Sequence, residues 1–281
     1  MAVELALVGD EAAPDAIGQV AAVEALGWRA IELRSVDGIP LAQVTERAFD
    51  ALAARVHAAG LRVVAVASGI GGWGRTAKTP LDDDLVELEI LARRMHALGA
   101  PYVRIMSFGS GGLPLPEWRF EVLRRTAALA ARAAELQVTL VHENCLGWAG
   151  RGPNESLELV RTIDDPALRL LFDTGNGLAY GYHAPAFLRR VLHWVAHVHI
   201  KDGVHDGDQV RYVEPGTGAA GVAECLRVLA DGGYTGAISL EPHVAVAPHD
   251  GRFRARSAEP AIAAGRALER LVAEELTWTV R

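Results

Sequence analysis

The chain has 281 residues, half of them apolar, enough to bury one large core. Its 28 basic and 35 acidic residues give a net charge of −7 with no basic stripe, which argues against a nucleic-acid partner. No apolar stretch reaches the length of a membrane span, and two distant cysteines, Cys145 and Cys225, suit a reduced, cytoplasmic protein.

Taken in chain order, short β-rich runs alternate with longer Ala/Leu/Arg runs of helical period. The first run, near 2–8, holds Glu4 among apolar residues and has no basic start, so it reads as a strand rather than an export signal. A helix near 14–26, a strand near 28–34, a helix near 41–59 and a strand near 61–67 follow. The third helix, near 80–98, is the best marked. Thr79 suits its cap, Pro80 its first turn, and Asp82, Asp83 and Asp84 the positive end of its dipole. Leu81, Leu85, Leu88, Leu91, Met95 and Leu98 then recur at the spacing of one buried face. Strands near 101–106, 138–143, 168–173, 195–200 and 236–241 alternate with helices near 117–136, 154–162, 184–193, 219–231 and 258–275. Gly27, Gly60 and Gly99 stand where helices stop.

Eight strand–helix units predict an α/β chain folded over 1–281 as one domain, a closed (β/α)8 or TIM barrel. A doubly wound open sheet shows the same alternation but needs a phosphate-binding glycine turn after its first strand. Leu7-Val8-Gly9-Asp10 carries none.

In such a barrel the C-terminal strand ends build the active site. Here four successive ends read His142-Glu143-Asn144, Phe172-Asp173-Thr174, His199-Ile200-Lys201 and Glu241-Pro242-His243. Three crowded carboxylates repel one another unless a cation lies among them. With one imidazole, Glu143, Asp173, His199 and Glu241 suit one divalent ion, Mn²⁺, Mg²⁺, Co²⁺ or Zn²⁺. Side chains two apart share a strand face, so His197, His199 and Lys201 point the same way. His199 lies nearest the rim and is the expected ligand. His197 lies one layer deeper, to orient a neighbour or meet substrate. Lys201 holds a substrate oxygen or pairs with Asp202 or another acid.

Other rim residues have two readings each. Trp73, in the glycine-rich run 68–75, and Trp148 either wall a sugar ring or pack beneath their loops. Glu32 and Arg34 either line the pocket or pair with each other in the barrel. Gly216-Thr217-Gly218 falls where barrels often hold phosphate through backbone N–H groups. Cys145 has no partner base and reads as a packing residue. Arg252, Arg254 and Arg256 read as a solvated loop, or as contacts to an anionic substrate.

The runs L-V-H-E-N-C-L-G-W-A-G, L-L-F-D-T-G-N-G, H-V-H-I-K-D-G and I-S-L-E-P-H resemble the xylose-isomerase-like sugar phosphate isomerase/epimerase family. The segment G-T-G-A-A-G-V-A-E-C-L-R-V-L-A-D-G-G-Y-T-G before the last strand resembles it too. The likeness covers most of 28–245. It implies a TIM barrel that binds one divalent ion through Glu143, Asp173, His199 and Glu241. It further implies that Glu143 and Glu241 act as the acid and base of an isomerase or epimerase working through an enediolate. The implied partner is a small sugar, sugar acid or sugar phosphate, met by Lys201, Asn176, His197, Trp73 and Trp148. A homo-oligomer stays open. The chain departs from the ketose epimerases at Asn176, where many of them carry His. Asn hydrogen-bonds but carries no proton at neutral pH, which leaves room for a dehydratase acting on a keto-inositol or related polyol.

Overall fold

The computed structural model describes residues 2–245, 257–275 and 279–280. Arg252, Arg254 and Arg256 lie outside the described residues. Eight parallel strands form β1 (Ala2–Val8), β2 (Ala30–Leu33), β3 (Arg62–Ala67), β4 (Tyr102–Ser107), β5 (Thr139–Gly147), β6 (Leu168–Asp173), β7 (Val195–Ile200) and β8 (Ala237–Leu240). Each pairs with the next, and β8 pairs with β1, which closes the barrel as the alternation predicts. A short strand, Thr279–Val280, pairs in parallel with Ala2 and Val3 at the start of β1.

The strands are joined by α1 (Ala16–Leu26), α2 (Glu46–Ala58), α3 (Leu81–Leu98), α4 (Leu115–Glu135), α5 (Pro153–Ile163), α6 (Ala184–Val191) and α7 (Val222–Asp231). The last helix, α8 (Glu259–Glu275), follows β8. Their apolar stripes pack on the outward strand side chains. Leu88, Leu91, Met95 and Leu98 of α3 join one core with Leu5, Leu7, Ile31, Leu33, Val198 and Ile200. The alternate positions Ala6, Ala30, Val64 and Ala237 form a separate small cluster. Small side chains occupy the barrel interior at that level, and buried polar side chains such as Glu32, His197 and Ser239 lie beyond them.

Some boundaries differ from the sequence pattern. Thr79 does not cap α3: its hydroxyl bonds Thr76 in the preceding turn, and Pro80 takes the cap position. β5 runs to Gly147, past the expected 143. Between β7 and α7 the chain doubles back as a hairpin, Asp202–Asp206 with Gln209–Val213. The two-residue turn is Gly207-Asp208, with Gly207 at φ 61°, in the left-handed region a tight hairpin turn needs at that position.

Candidate active site

Glu143, Asp173, His199 and Glu241 stand on β5, β6, just inside the end of β7, and just past β8. Strand register places Asp173 opposite His199, and His199 opposite Ser239 two residues before Glu241. One donor atom from each of the four lies within 4.8 Å of the other three, and all four side chains are buried.

Each ligand candidate is held from behind. Asp173 Oδ1 accepts the N–H groups of Gly175 and Asn176, both at 2.8 Å, at the start of the single helical turn Asn176–Tyr180. Asn176 Nδ2 donates to Glu143 Oε1 at 2.8 Å. Lys201 Nζ lies 3.0 Å from Asp173 Oδ2 and 2.8 Å from Glu241 Oε2, so it pairs with the cluster and not with Asp202. Gly175 leaves room for that lysine, because an added Cβ there would stand 2.7 Å from its Cβ and Cγ. Burial alone would raise the Glu241 carboxyl, yet Lys201 and His243 hold it well below the usual range. At Asp173 burial outweighs Lys201, and the net shift is upward.

Glu32, fully buried on β2, lies one layer below. Both of its oxygens stand 3.0 Å from His199 Nε2, and Oε2 stands 2.9 Å from His197 Nε2. It therefore pairs with the histidines and not with Arg34. Arg34 instead binds Asp10, Glu11 and Glu241. Burial opposes a positive His199, but the Glu32 charge draws a proton onto the ring and raises it well above the ordinary value.

Above the cluster opens a cavity of about 300 Å³. Glu143, Glu241, Asn176, Lys201 and Trp73 line it, as the sequence suggests. Two expected contacts do not. Trp148 is buried in the apolar core, because β5 continues past Glu143 and carries it beneath the loop. His197 is sealed inside the barrel, away from the cavity, where it bonds Glu32 and Ser239 and so positions those neighbours. Cys145 does line the cavity, but burial and then Glu143 push its thiol up to about 12, which leaves it inert as a nucleophile.

Sequence reasoning missed Arg104. It is buried on β4, lines the cavity, and has its Nε 3.4 Å from Glu143 Oε2 without a hydrogen bond. A charged residue between Val103 and Ile105 in a buried strand was the mark available.

The donor set fits a divalent cation. His199 Nδ1 is buried without a hydrogen-bond partner, buried Asp173 Oδ2 meets only the Lys201 ammonium, and both atoms belong to the cluster. With Nε2 engaged by Glu32, Nδ1 of His199 faces the cluster 3.4 Å from Glu241 Oε2, and a bound cation would take the place of its proton. Among the described residues, six buried carboxylates gather here: Asp10, Glu11, Glu32, Glu143, Asp173 and Glu241. Arg34, Arg104 and Lys201 are the permanent cations among them. Neutral histidines would leave negative charge uncompensated, which a divalent ion reduces.

Residues 20–270 match the family described as the xylose isomerase-like TIM barrel. An inosose dehydratase from Clostridium botulinum (strain Alaska E43 / Type E3) is 23% identical over 203 residues, 60% of this chain and 67% of that protein. A 2-epi-5-epi-valiolone 7-phosphate 2-epimerase from Actinoplanes sp. is 33% identical over 144 residues, 50% of this chain and 49% of that protein. Among solved structures, the IolI protein with a bound zinc atom superposes with a TM-score of 0.78 at 17% identity, covering 98% of this chain and 100% of that one. Among the described residues, no helix is long and apolar enough to cross a membrane.

Proposed function

Because the chain belongs to the xylose isomerase-like TIM-barrel family, we propose that it is a divalent-metal-dependent isomerase or epimerase of a small keto-sugar or keto-polyol. The convergence of Glu143, Asp173, His199 and Glu241 within 4.8 Å, all of them buried, is the observation that supports it. These four residues would hold the ion. When bound, it supplies Lewis acidity that lowers the cost of negative charge on substrate oxygens.

Glu143 and Glu241 do the proton work. They face the cavity from β5 and from the end of β8, where they would flank a bound substrate. One takes the weakly acidic proton from the carbon beside the carbonyl, which gives an enediolate. A proton returned to the other face of that carbon inverts the centre. A proton returned to the neighbouring carbon moves the carbonyl. Asn176 fixes Glu143 through Oε1, which leaves Oε2 to exchange the proton beside Arg104. Lys201 and Arg104 offer donors for substrate oxygens, and Trp73 an apolar face for the ring.

A dehydratase is the second reading, favoured by Asn176 and by the inosose dehydratase among the relatives. It shares the first proton abstraction but expels a β-hydroxyl as water. Incubating ketoses, their phosphates and keto-inositols in D₂O, with Mn²⁺, Co²⁺ or Mg²⁺ supplied separately, distinguishes the two. Deuterium at carbon with an otherwise unchanged composition marks the isomerase or epimerase, and an unsaturated product marks the dehydratase. Turnover that survives thorough chelation would reject both.

A further inference from the structure

The rim holds a second gathering of donors besides the four on β5 to β8. Asp10 and Glu11 lie in the helical turn Gly9–Glu11 after β1, and Glu241 and His243 follow β8, which closes against β1. Glu11, Glu241 and His243 each offer an atom within 4.8 Å of the others, and Asp10 joins them through Arg34. Three carboxylates and one imidazole repeat the donor composition of the first cluster, and Glu241 belongs to both. Asp10, Glu11 and Glu241 are buried, and carboxylates crowded in this way need positive charge among them.

Here the chain supplies that charge itself. The Arg34 guanidinium, just past β2, gives Nε to Asp10 at 3.0 Å, Nη2 to Glu11 at 2.7 Å and Nη1 to Glu241 Oε1 at 2.5 Å. Glu11 is anchored in turn, since its oxygens accept the backbone N–H of His243 and meet its ring Nδ1, both at 2.9 Å. His243 has φ 52°, a conformation that a non-glycine residue keeps only when its surroundings enforce it. Asp10 Oδ1 is buried without a hydrogen-bond partner, so the set has an oxygen that the guanidinium leaves unused. The second Glu241 oxygen, Oε2, lies with the first cluster, 2.8 Å from Lys201 Nζ and 3.4 Å from His199 Nδ1. Oε1 is thus the oxygen left to exchange a proton. A guanidinium holds it by hydrogen bonding alone, whereas a divalent ion at that point would occupy it by coordination.

We propose that Arg34 is a positioning residue that occupies a second cation site, formed by Asp10, Glu11, Glu241 and His243. It holds Glu241 Oε1 ready for proton exchange and keeps a second divalent ion out. The proton exchange rests on the function proposed above, whereas the ion count does not. Mn²⁺ is titrated into the full chain, and bound ions are counted per chain shown by circular dichroism to be folded. The wild type is expected to hold one ion through millimolar Mn²⁺. Arg34→Ala, or Arg34→Gln if that folds better, is expected to hold one ion more. The two ions, sharing Glu241, give a spin-coupled Mn²⁺ resonance spectrum that the wild type lacks. The added ion is expected to vanish in the double variant Arg34→Ala, Glu11→Gln. Guanidinium chloride below denaturing concentration is expected to displace it from Arg34→Ala. The same salt restores part of a kcat that the variant lowers by about 10- to 100-fold. A folded variant with the wild-type count overturns the inference, as does an added ion that survives Glu11→Gln. A second ion in the wild type overturns it whether or not any variant folds. A wild type that binds none beside a variant that binds one rejects the proposed function and keeps the inference. With no turnover on any substrate, the ion count alone decides.

Discussion

Glu32 never meets the cavity, yet it decides which nitrogen of His199 faces it. By accepting from Nε2 it leaves Nδ1 as the donor toward the cluster. Replacing it with Gln removes the charge that fixes this tautomer. Glu32→Gln is therefore expected to weaken metal binding by about 10- to 100-fold in calorimetric titration. An unchanged affinity would show that Glu32 is only a buried partner. Glu241→Gln is expected to keep substrate binding and cut kcat by about 10²- to 10⁴-fold, the usual worth of a positioned acid or base. Arg104→Gln is expected to raise KM more than it lowers kcat, because the guanidinium binds an oxygen without moving a proton. The four ligand candidates were legible because alternation and strand ends place them without any knowledge of neighbours. Glu32 and Arg104 were not assigned, because a charged residue inside a strand reveals its partner only when a strand distant in sequence closes beside it.

At the scale of elements, α3 shows how one segment serves two purposes. Its acidic first turn suits the helix dipole, as the sequence indicates. Asp84, however, turns inward with Glu87 to hold the loop carrying Trp73, and Arg75 is their shared counter-ion. Removing one partner of such a buried set leaves charge uncompensated. Arg75→Ala is expected to cost about 3 kcal/mol in urea unfolding. A loss below about 0.5 kcal/mol would mean that solvent already screens the pair. Helix and strand existence followed from periodicity. The Asp202–Val213 hairpin and the Thr79 turn did not, because both depend on local hydrogen bonds that leave apolar spacing unchanged.

For the whole molecule, stability couples to the cation and to pH. A ligand bound only by the folded state at 100 times its Kd contributes about 2.7 kcal/mol, so chelation is expected to lower the Tm by about 5 °C or more. No shift on chelation would deny the site. His142, fully buried on β5 with neither ring nitrogen hydrogen-bonded, is depressed by burial from 6.5 to about 3. Its unfolded form takes up a proton first on acidification. The neutral ring's contribution is thus complete above pH 6.5 and is lost as pH falls toward 3, by up to about 3 kcal/mol at pH 4. His142→Leu is expected to flatten that part of the stability-against-pH curve, and an identical slope would exclude the ring as its source.

The sequence by itself determined the strand–helix alternation, the closed barrel, and the four strand-end donors, since these follow from period, length and position along each strand. Only the tertiary structure decided that Trp148 and His197 are sealed away from the cavity. It also decided that Arg34 answers to Asp10, Glu11 and Glu241, and that Asp202 accepts the N–H groups of Gly216 and Gly218. Each of these is a pairing between groups far apart in the chain, and its energy exists only once closure removes water and leaves every buried charge or N–H group with the partners at hand.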